Sequence, residues 1–374
     1  MNSITISRII PDRIVLLLPI LLLLSIFTSC TDRETAGSAD SETPAFEEIW
    51  KIDVHSHIFD EIPYLAELME QTNSTVINLS NRGADGHLER MHEIGESLAN
   101  RWPQQFAWGS AFDLTRRDEP EYAEEVKQAL DETFASGALL VKIWKEIGME
   151  LQTPDGEFLM ADDPLFDPVY SHMAEQRIPL IAHLADPIDA WRPLDPESVH
   201  YGYYSNNPEW HVYGNDDYPS HEEIMQARDN ILEKHPNLIL IGAHNGSMSH
   251  DLDMIAERLD RYPNFYIEVS ARTRDLTRHP SDKVREFFIN YSDRILYGID
   301  VTWKPFLSGP RTDEQQRAFA DRYIDRFRLD YSYYAGSGTI TYSGREVESL
   351  HLPREVLENF YFRNALRLMP DLAR

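Results

Sequence analysis

The chain has 374 residues, 42% of them hydrophobic and 26% charged, with a formal net charge of -28; this allows one large domain with a sizeable core. The acidity excludes a nucleic-acid partner, which needs clustered Lys and Arg against phosphate, and leaves a small molecule as the expected partner. The single cysteine, Cys30, excludes an intrachain disulfide, so stability must come from packing.

In chain order, Arg8 and Arg13 precede an apolar run over residues 14–27, IVLLLPILLLLSIF. It is short for a membrane span and has the charged start and apolar centre of a secretory signal. The ending Phe27-Thr-Ser-Cys30 resembles the lipobox of bacterial lipoproteins, with Phe27 in place of the usual Leu. The resemblance implies a signal peptide over 1–29 and a lipid on Cys30 as the sole membrane attachment. It also implies an extracytoplasmic location, in the periplasm or at the cell surface. Residues 30–45 are polar and small and read as a disordered tether, leaving 46–374 as the folded domain.

From Phe46 onward, short apolar runs alternate with longer amphipathic stretches about eight times. The predicted strands are 50–55, 74–79, 106–112, 138–144, 178–183, 238–244, 265–269 and 294–299. The predicted helices are 88–100, 119–135, 164–176, 221–234, 251–261, 281–289 and 313–327, with more helix over 353–369. This alternation implies a parallel sheet covered by helices, and eight units fit a closed (β/α)8 TIM barrel. No Gly-x-Gly-x-x-Gly follows a strand, which counts against a dinucleotide site. Residues 186–220 form a long aromatic-rich loop, as expected of a lid or binding loop, and 336–344 read as a flexible or hairpin-like segment.

Five metal-type residues fall at strand ends. His55 and His57 close the first strand, and their i, i+2 spacing puts both imidazoles on one face. His183, His244 and Asp300 close the fifth, sixth and eighth. In a parallel barrel these ends share one mouth, where such enzymes keep their active sites.

Asp53-Val-His-Ser-His57, Ile181-Ala-His183, Gly242-Ala-His244 and Tyr297-Gly-Ile-Asp300 resemble the signatures of the metal-dependent amidohydrolase superfamily. The amidohydrolase-2 branch, similar to aminocarboxymuconate-semialdehyde decarboxylase, is the nearest; Phe362-Arg-Asn-Ala resembles its C-terminal motif. The resemblance implies that His55, His57, His183 and Asp300 hold the metal, that His244 orients or deprotonates water, and that Asp300 shuttles a proton. Three or four such ligands suit Zn2+, one ion or two, with another divalent metal not excluded. Zinc lowers the pKa of its water towards about 7.

Lys142, in an apolar strand, leaves three readings open: a carboxylated bridge between two metals, with His183 and His244 on the second; a substrate contact; or a structural ion pair. Lys145, three residues on, faces away in a regular strand. Arg272 and Arg274, after the seventh strand, are candidate grips for an anionic substrate or surface ion pairs, and Trp303 is a candidate pocket wall. The expected function is a hydrolase that cleaves a C-O or C-N bond of a small carbonyl substrate by metal-bound hydroxide. A decarboxylase or hydratase of a small carboxylic acid is the alternative, and a catalytically silent binding module is a third. The sequence is silent on the oligomeric state.

Overall fold

A computed structural model describes residues 43–82 and 86–372. The expected signal peptide and the tether up to residue 42 lie outside the described residues. Folded packing begins slightly before Phe46: Pro44 is buried, and its carbonyl accepts a 2.7 Å hydrogen bond from Tyr331.

Strands β1 (Lys51–Ile58), β2 (Ser74–Leu79), β3 (Phe106–Ala111) and β4 (Ala138–Ile143) are followed by β5 (Leu180–Ala182), β6 (Leu240–Gly242), β7 (Phe265–Glu268) and β8 (Ile295–Leu296). Consecutive strands pair in parallel from β1 to β8. Backbone bonds then join the last strand to the first: Val54 N–H donates to Tyr297 (3.0 Å), and Asp300 N–H donates to His55 (2.6 Å). A short ninth strand, β9 (Thr302–Trp303), continues along β1. The fold is the expected (β/α)8 barrel.

Seven expected helices form, including His221–Lys234 with a Ser220 capping box. The last of them runs over Asp313–Tyr334, seven residues past its expected end. One helix, Pro63–Gln71, has no counterpart among the expectations, since its nine residues bury only Leu65, Ala66 and Met69. That stripe is too short for a periodicity to stand out. The flexible segment is the start of an antiparallel hairpin, β10 (Thr339–Tyr342) and β11 (Arg345–Glu348).

The apolar residues divide into two layers. Ile52, Val54, Ile77, Leu79, Leu140, Ile181, Ile241 and Leu296 fill the barrel interior, with Leu368 and Met369 packed against them. A larger shell, including Val76, Phe106, Val141, Leu180, Leu240 and Phe265, lies between strands and helices. In β1 the pairing slips by one residue: Asp53 faces Val76 while Ser56 faces Asn78. An extra residue reverses the face that follows it. Ile52 and Val54 point into the interior, and past the bulge His55 and His57 take that side. Asp53 therefore points outward, where it accepts from Tyr323 (2.8 Å) and from the backbone N–H groups of His55 and Ile299 (2.9 Å each).

Candidate active site

At the C-terminal ends of the strands His55, His57, His183, His244 and Asp300 come together, as their positions at strand ends imply. The backbone is left-handed at Ala185, His244, Ala271 and Asp300, just past β5, β6, β7 and β8. For residues other than glycine this conformation costs about 1–2 kcal/mol each, so packing must hold it. Gly298 is required by contact rather than by its φ: a Cβ there would lie 2.8 Å from Glu268 Oε2 and 3.3 Å from the His55 Cβ.

The hydrogen bonds decide which nitrogen of each ring faces the cavity. His57 Nδ1 lies 2.6 Å from the Leu79 carbonyl, which can only accept, so Nδ1 carries the proton and Nε2 keeps its lone pair. His55 Nδ1 lies 2.8 Å from the Glu268 carboxylate, with the same result. His244 Nδ1 donates to the Ser270 carbonyl at 2.8 Å, leaving Nε2 as an acceptor. His183 Nδ1, 3.2 Å from that acceptor, must donate to it, so the lone pair of His183 falls on Nε2. That atom is buried without a hydrogen-bond partner among the described residues.

Burial, followed by nearby cationic and imidazole groups, holds all four histidines well below the ordinary imidazole pKa. They are neutral at pH 7, as metal ligands must be. Asp300 has 27% of its side chain exposed towards the cavity. Desolvation raises its pKa to about 6, with Lys142 opposing.

The donor set fits a divalent metal. Asp300 Oδ1 lies 3.7 Å from His55 Nε2 and 3.6 Å from His57 Nε2, and Oδ2 lies 3.9 Å from His244 Nε2. Bonds of about 2.1 Å to one tetrahedral ion would separate two ligand atoms by about 3.4 Å. His55, His244 and Asp300 also form a triad with ligand atoms all within 4.8 Å. The unpartnered His183 Nε2 adds a further donor.

Lys142 follows Leu140 on the inward face of β4 and is buried. Its ammonium hydrogen-bonds His55 Nε2 and lies 3.4 Å from His57 Nε2, in contact with both lone pairs that a metal would take. Burial lowers its pKa to about 8, against the raising effect of Asp300 and Glu268. Lys145 does not face away as a regular strand would require. The strand stops at Ile143, and the turn buries Lys145 beside the cavity, 2.7 Å from Asp186 and 3.7 Å from the Trp210 ring centre.

A cavity of about 550 Å³ opens over the cluster, lined by His57, Lys142, His183, His244, Arg272 and Asp300, among others. Arg272 lines it. Trp303 does not: its ring packs on Phe319 at 4.6 Å, and its N–H reaches Asp60 at 3.3 Å. The loop after β5 supplies Asp186, His200 and Tyr203 to the lining.

One residue at the centre of the site has no assigned role in the sequence reading. Glu268 accepts from His55 Nδ1, His244 N–H (2.8 Å) and both Ser270 N–H (2.6 Å) and Oγ–H (2.9 Å). A fully buried carboxylate in the strand Phe-Tyr-Ile-Glu268 was the available signal for it.

A family model described as Amidohydrolase matches residues 52–370. No curated protein matches the chain. Among solved structures, 2,6-dihydroxybenzoate decarboxylase from Rhizobium superposes with a TM-score of 0.50 at 16% identity, covering 87% of this chain and 100% of its own. The dihydroxybenzoic acid decarboxylase of Polaromonas sp. JS666, solved with bound manganese and 2-nitroresorcinol, has a TM-score of 0.50 at 14% identity, covering 87% of this chain and 98% of its own. Dihydroorotase from Campylobacter jejuni has a TM-score of 0.45 at 13% identity, covering 87% and 84% respectively. The first two likenesses show a shared fold.

Proposed function

The chain belongs to the amidohydrolase family, and from that premise we propose that it is a metal-dependent hydrolase acting on a C-O or C-N bond of a small carbonyl substrate. The observation that carries the reading is the pairing of His244 and Asp300, two proton acceptors 3.9 Å apart beside the metal donors. His55, His57, His183 and Asp300 would hold the ion, with Zn2+ the proposed metal. When bound, it supplies a Lewis acid that polarises the carbonyl and acidifies water.

The residues of the chain do the rest. His244, fixed in one tautomer by the Ser270 carbonyl, presents a basic Nε2 that takes a proton from water. Asp300, with its raised pKa, receives that proton in turn and passes it to the leaving group. Arg272 orients the substrate. Lys142 hydrogen-bonds His55 Nε2 beside His57; its carboxylation would create a second metal position with His183 and His244.

A second reading has a specific observation behind it. Arg272 is a buried cation on the cavity wall, suited to a carboxylate, which favours decarboxylation or hydration of a small acid on the same donor set. Two proteins of this fold are decarboxylases by name. Screening the Zn2+- or Mn2+-loaded protein against lactones, esters, amides and unsaturated acids, with proton and CO2 release recorded separately, decides between them. Proton release without CO2 is the expected result. CO2 release establishes the second reading, and native folded protein without metal removes both in favour of a binding module.

We also propose that residues 1–29 are a signal peptide and that Cys30 carries a lipid facing an extracytoplasmic space. Among the described residues no helix is long and apolar enough to cross a membrane. Labelling cells with an alkyne fatty acid should mark the protein, and Cys30→Ala should abolish the label.

A further inference from the structure

The chain leaves β6 differently from β5, β7 and β8. Just past each of those three a single residue is left-handed, Ala185, Ala271 or Asp300. Past β6 four in a row are left-handed, His244, Asn245, Gly246 and Ser247, with φ between 57° and 61°. Residues other than glycine visit this region singly; a run of them is disfavoured at every step and lasts only where its surroundings over-determine it.

Two buried groups on the helix His221–Lys234 supply that constraint from outside the cavity, whose lining includes neither. Arg228 Nη1 donates to the Gly246 carbonyl at 2.8 Å. His221 Nε2 lies 3.0 Å from the Ser247 carbonyl, which can only accept, so Nε2 carries the proton. The Ser247 hydroxyl donates in turn to the Leu184 carbonyl at 2.6 Å, tying this turn to the exit from β5.

Arg228 holds its place at a cost, since it is 1% exposed and a buried charge must be fully paired. Asp229 Oδ1 accepts from its Nε (3.2 Å) and Nη2 (2.8 Å), and Asp229 Oδ2 accepts from Arg258 Nε (2.9 Å). That leaves Nη1 for the Gly246 carbonyl, with the guanidinium 4.7 Å from the centre of the Phe265 ring of β7. Glycine admits the approach: a Cβ on residue 246 would lie 3.0 Å from Arg228 Nη1 and 3.2 Å from Phe265 Cζ.

His244 is thus held from two sides. Glu268 accepts from its backbone N–H and the Ser270 carbonyl from its Nδ1, both at 2.8 Å, while the clamped turn fixes the chain that follows it. Building on the role of His244 in the metal-dependent reading above, we propose that Arg228 and His221 are positioning residues for His244. From outside the barrel they lock its left-handed turn and so aim its Nε2 at Asp300 and the metal donors. The proposed ligands His55, His57, His183 and Asp300 stand at the ends of other strands, so the clamp governs proton transfer rather than metal binding.

Arg228→Met keeps the bulk of the side chain and removes the donor, leaving Asp229 paired with Arg258. His221→Leu removes the second donor, and His221→Gln returns an amide N–H that reaches the same carbonyl. The first readout needs no substrate: in protein carrying isotopically labelled histidine, the buried Nδ1–H of His244 is followed by NMR, assigned by its loss in His244→Asn. Its exchange with solvent should be at least about tenfold faster in Arg228→Met and His221→Leu, and close to wild type in His221→Gln. In Zn2+-loaded protein, with the best substrate of the lactone, ester, amide and acid panel, the two disruptive variants should lower kcat by about tenfold to a hundredfold, with KM and bound metal within about twofold of wild type. His221→Gln should recover kcat to within about threefold of wild type. Folded Arg228→Met and His221→Leu that keep the wild-type exchange rate, and kcat within about twofold, overturn the clamp, as does a loss in His221→Gln equal to that in His221→Leu. If Arg228→Met does not fold, the two His221 variants decide alone. Failure of the metal-dependent reading looks different: the wild type binds no metal and turns over nothing in the panel, while the His244 proton still responds to the clamp substitutions.

Discussion

At His244 a backbone carbonyl, not a carboxylate, sets the tautomer, so the ring stays neutral and its basic nitrogen is turned into the cavity. His244→Asn should therefore retain one bound metal and lower kcat by about 10²–10⁴; loss of half the bound metal instead would establish a two-metal site. Glu268 acts one step further back, orienting His55 from the side away from the metal. Glu268→Gln should weaken metal affinity by about 10–100-fold without unfolding the protein, as read by competition with a chelator; wild-type affinity would remove Glu268 from the ligand geometry. Strand-end spacing was enough to find the five residues whose own chemistry is distinctive. Glu268, the inward turn of Lys145 and Arg228 were not legible, because each gains its role from partners far away in sequence. Arg228, for example, reaches the Gly246 carbonyl only once its helix has packed beside the turn after β6.

The strands were the most legible elements, since apolar runs between polar stretches mark them directly. Their ends were less so. β5, β6 and β8 are only two or three residues long, because left-handed residues turn the chain out of the ladder as soon as it nears the mouth. β1 runs three residues past its expected end, because His57 and Ile58 pair with β9, which follows Asp300 by only two residues. At the other end of β1, Lys51 is buried against the carbonyls of Phe46 and Ile49 (2.6 Å to the latter), and burial lowers its pKa from 10.5 to about 7. Below pH 7 the folded and unfolded chains both hold this proton, and burying the charge costs stability in full. Between about pH 7 and 10.5 the folded chain releases the proton while the unfolded chain keeps it, so stability rises with pH. The melting temperature of the wild type should climb relative to Lys51→Met across that window and stay parallel below it; parallel curves throughout would show that Lys51 keeps its ordinary pKa.

For the whole molecule, metal and fold should be linked. An ion that binds only the folded barrel adds about 2.7 kcal/mol at a hundred times its Kd. Asp300, with its pKa raised to about 6, gains a proton as the pH falls and then competes poorly for the ion. The gap in melting temperature between metal-loaded and chelator-treated protein should thus be wide at about pH 7.5 and narrow at about pH 5; a gap independent of pH would argue against Asp300 as a ligand. The formal charge of -28 also acquires a kinetic meaning beside Arg272 on the cavity wall. With a screening length of about 8 Å at physiological salt, an incoming acid meets a repelling exterior before any guanidinium can attract it, and a departing acid is pushed away once it clears the rim. Entry is slowed and exit hastened by the same outer field. Added salt should therefore first raise kcat/KM for an anionic substrate, by thinning that barrier, and then lower it as the interior attraction is screened; a steady fall from the lowest salt would mean that the cavity's own field already reaches out past the rim.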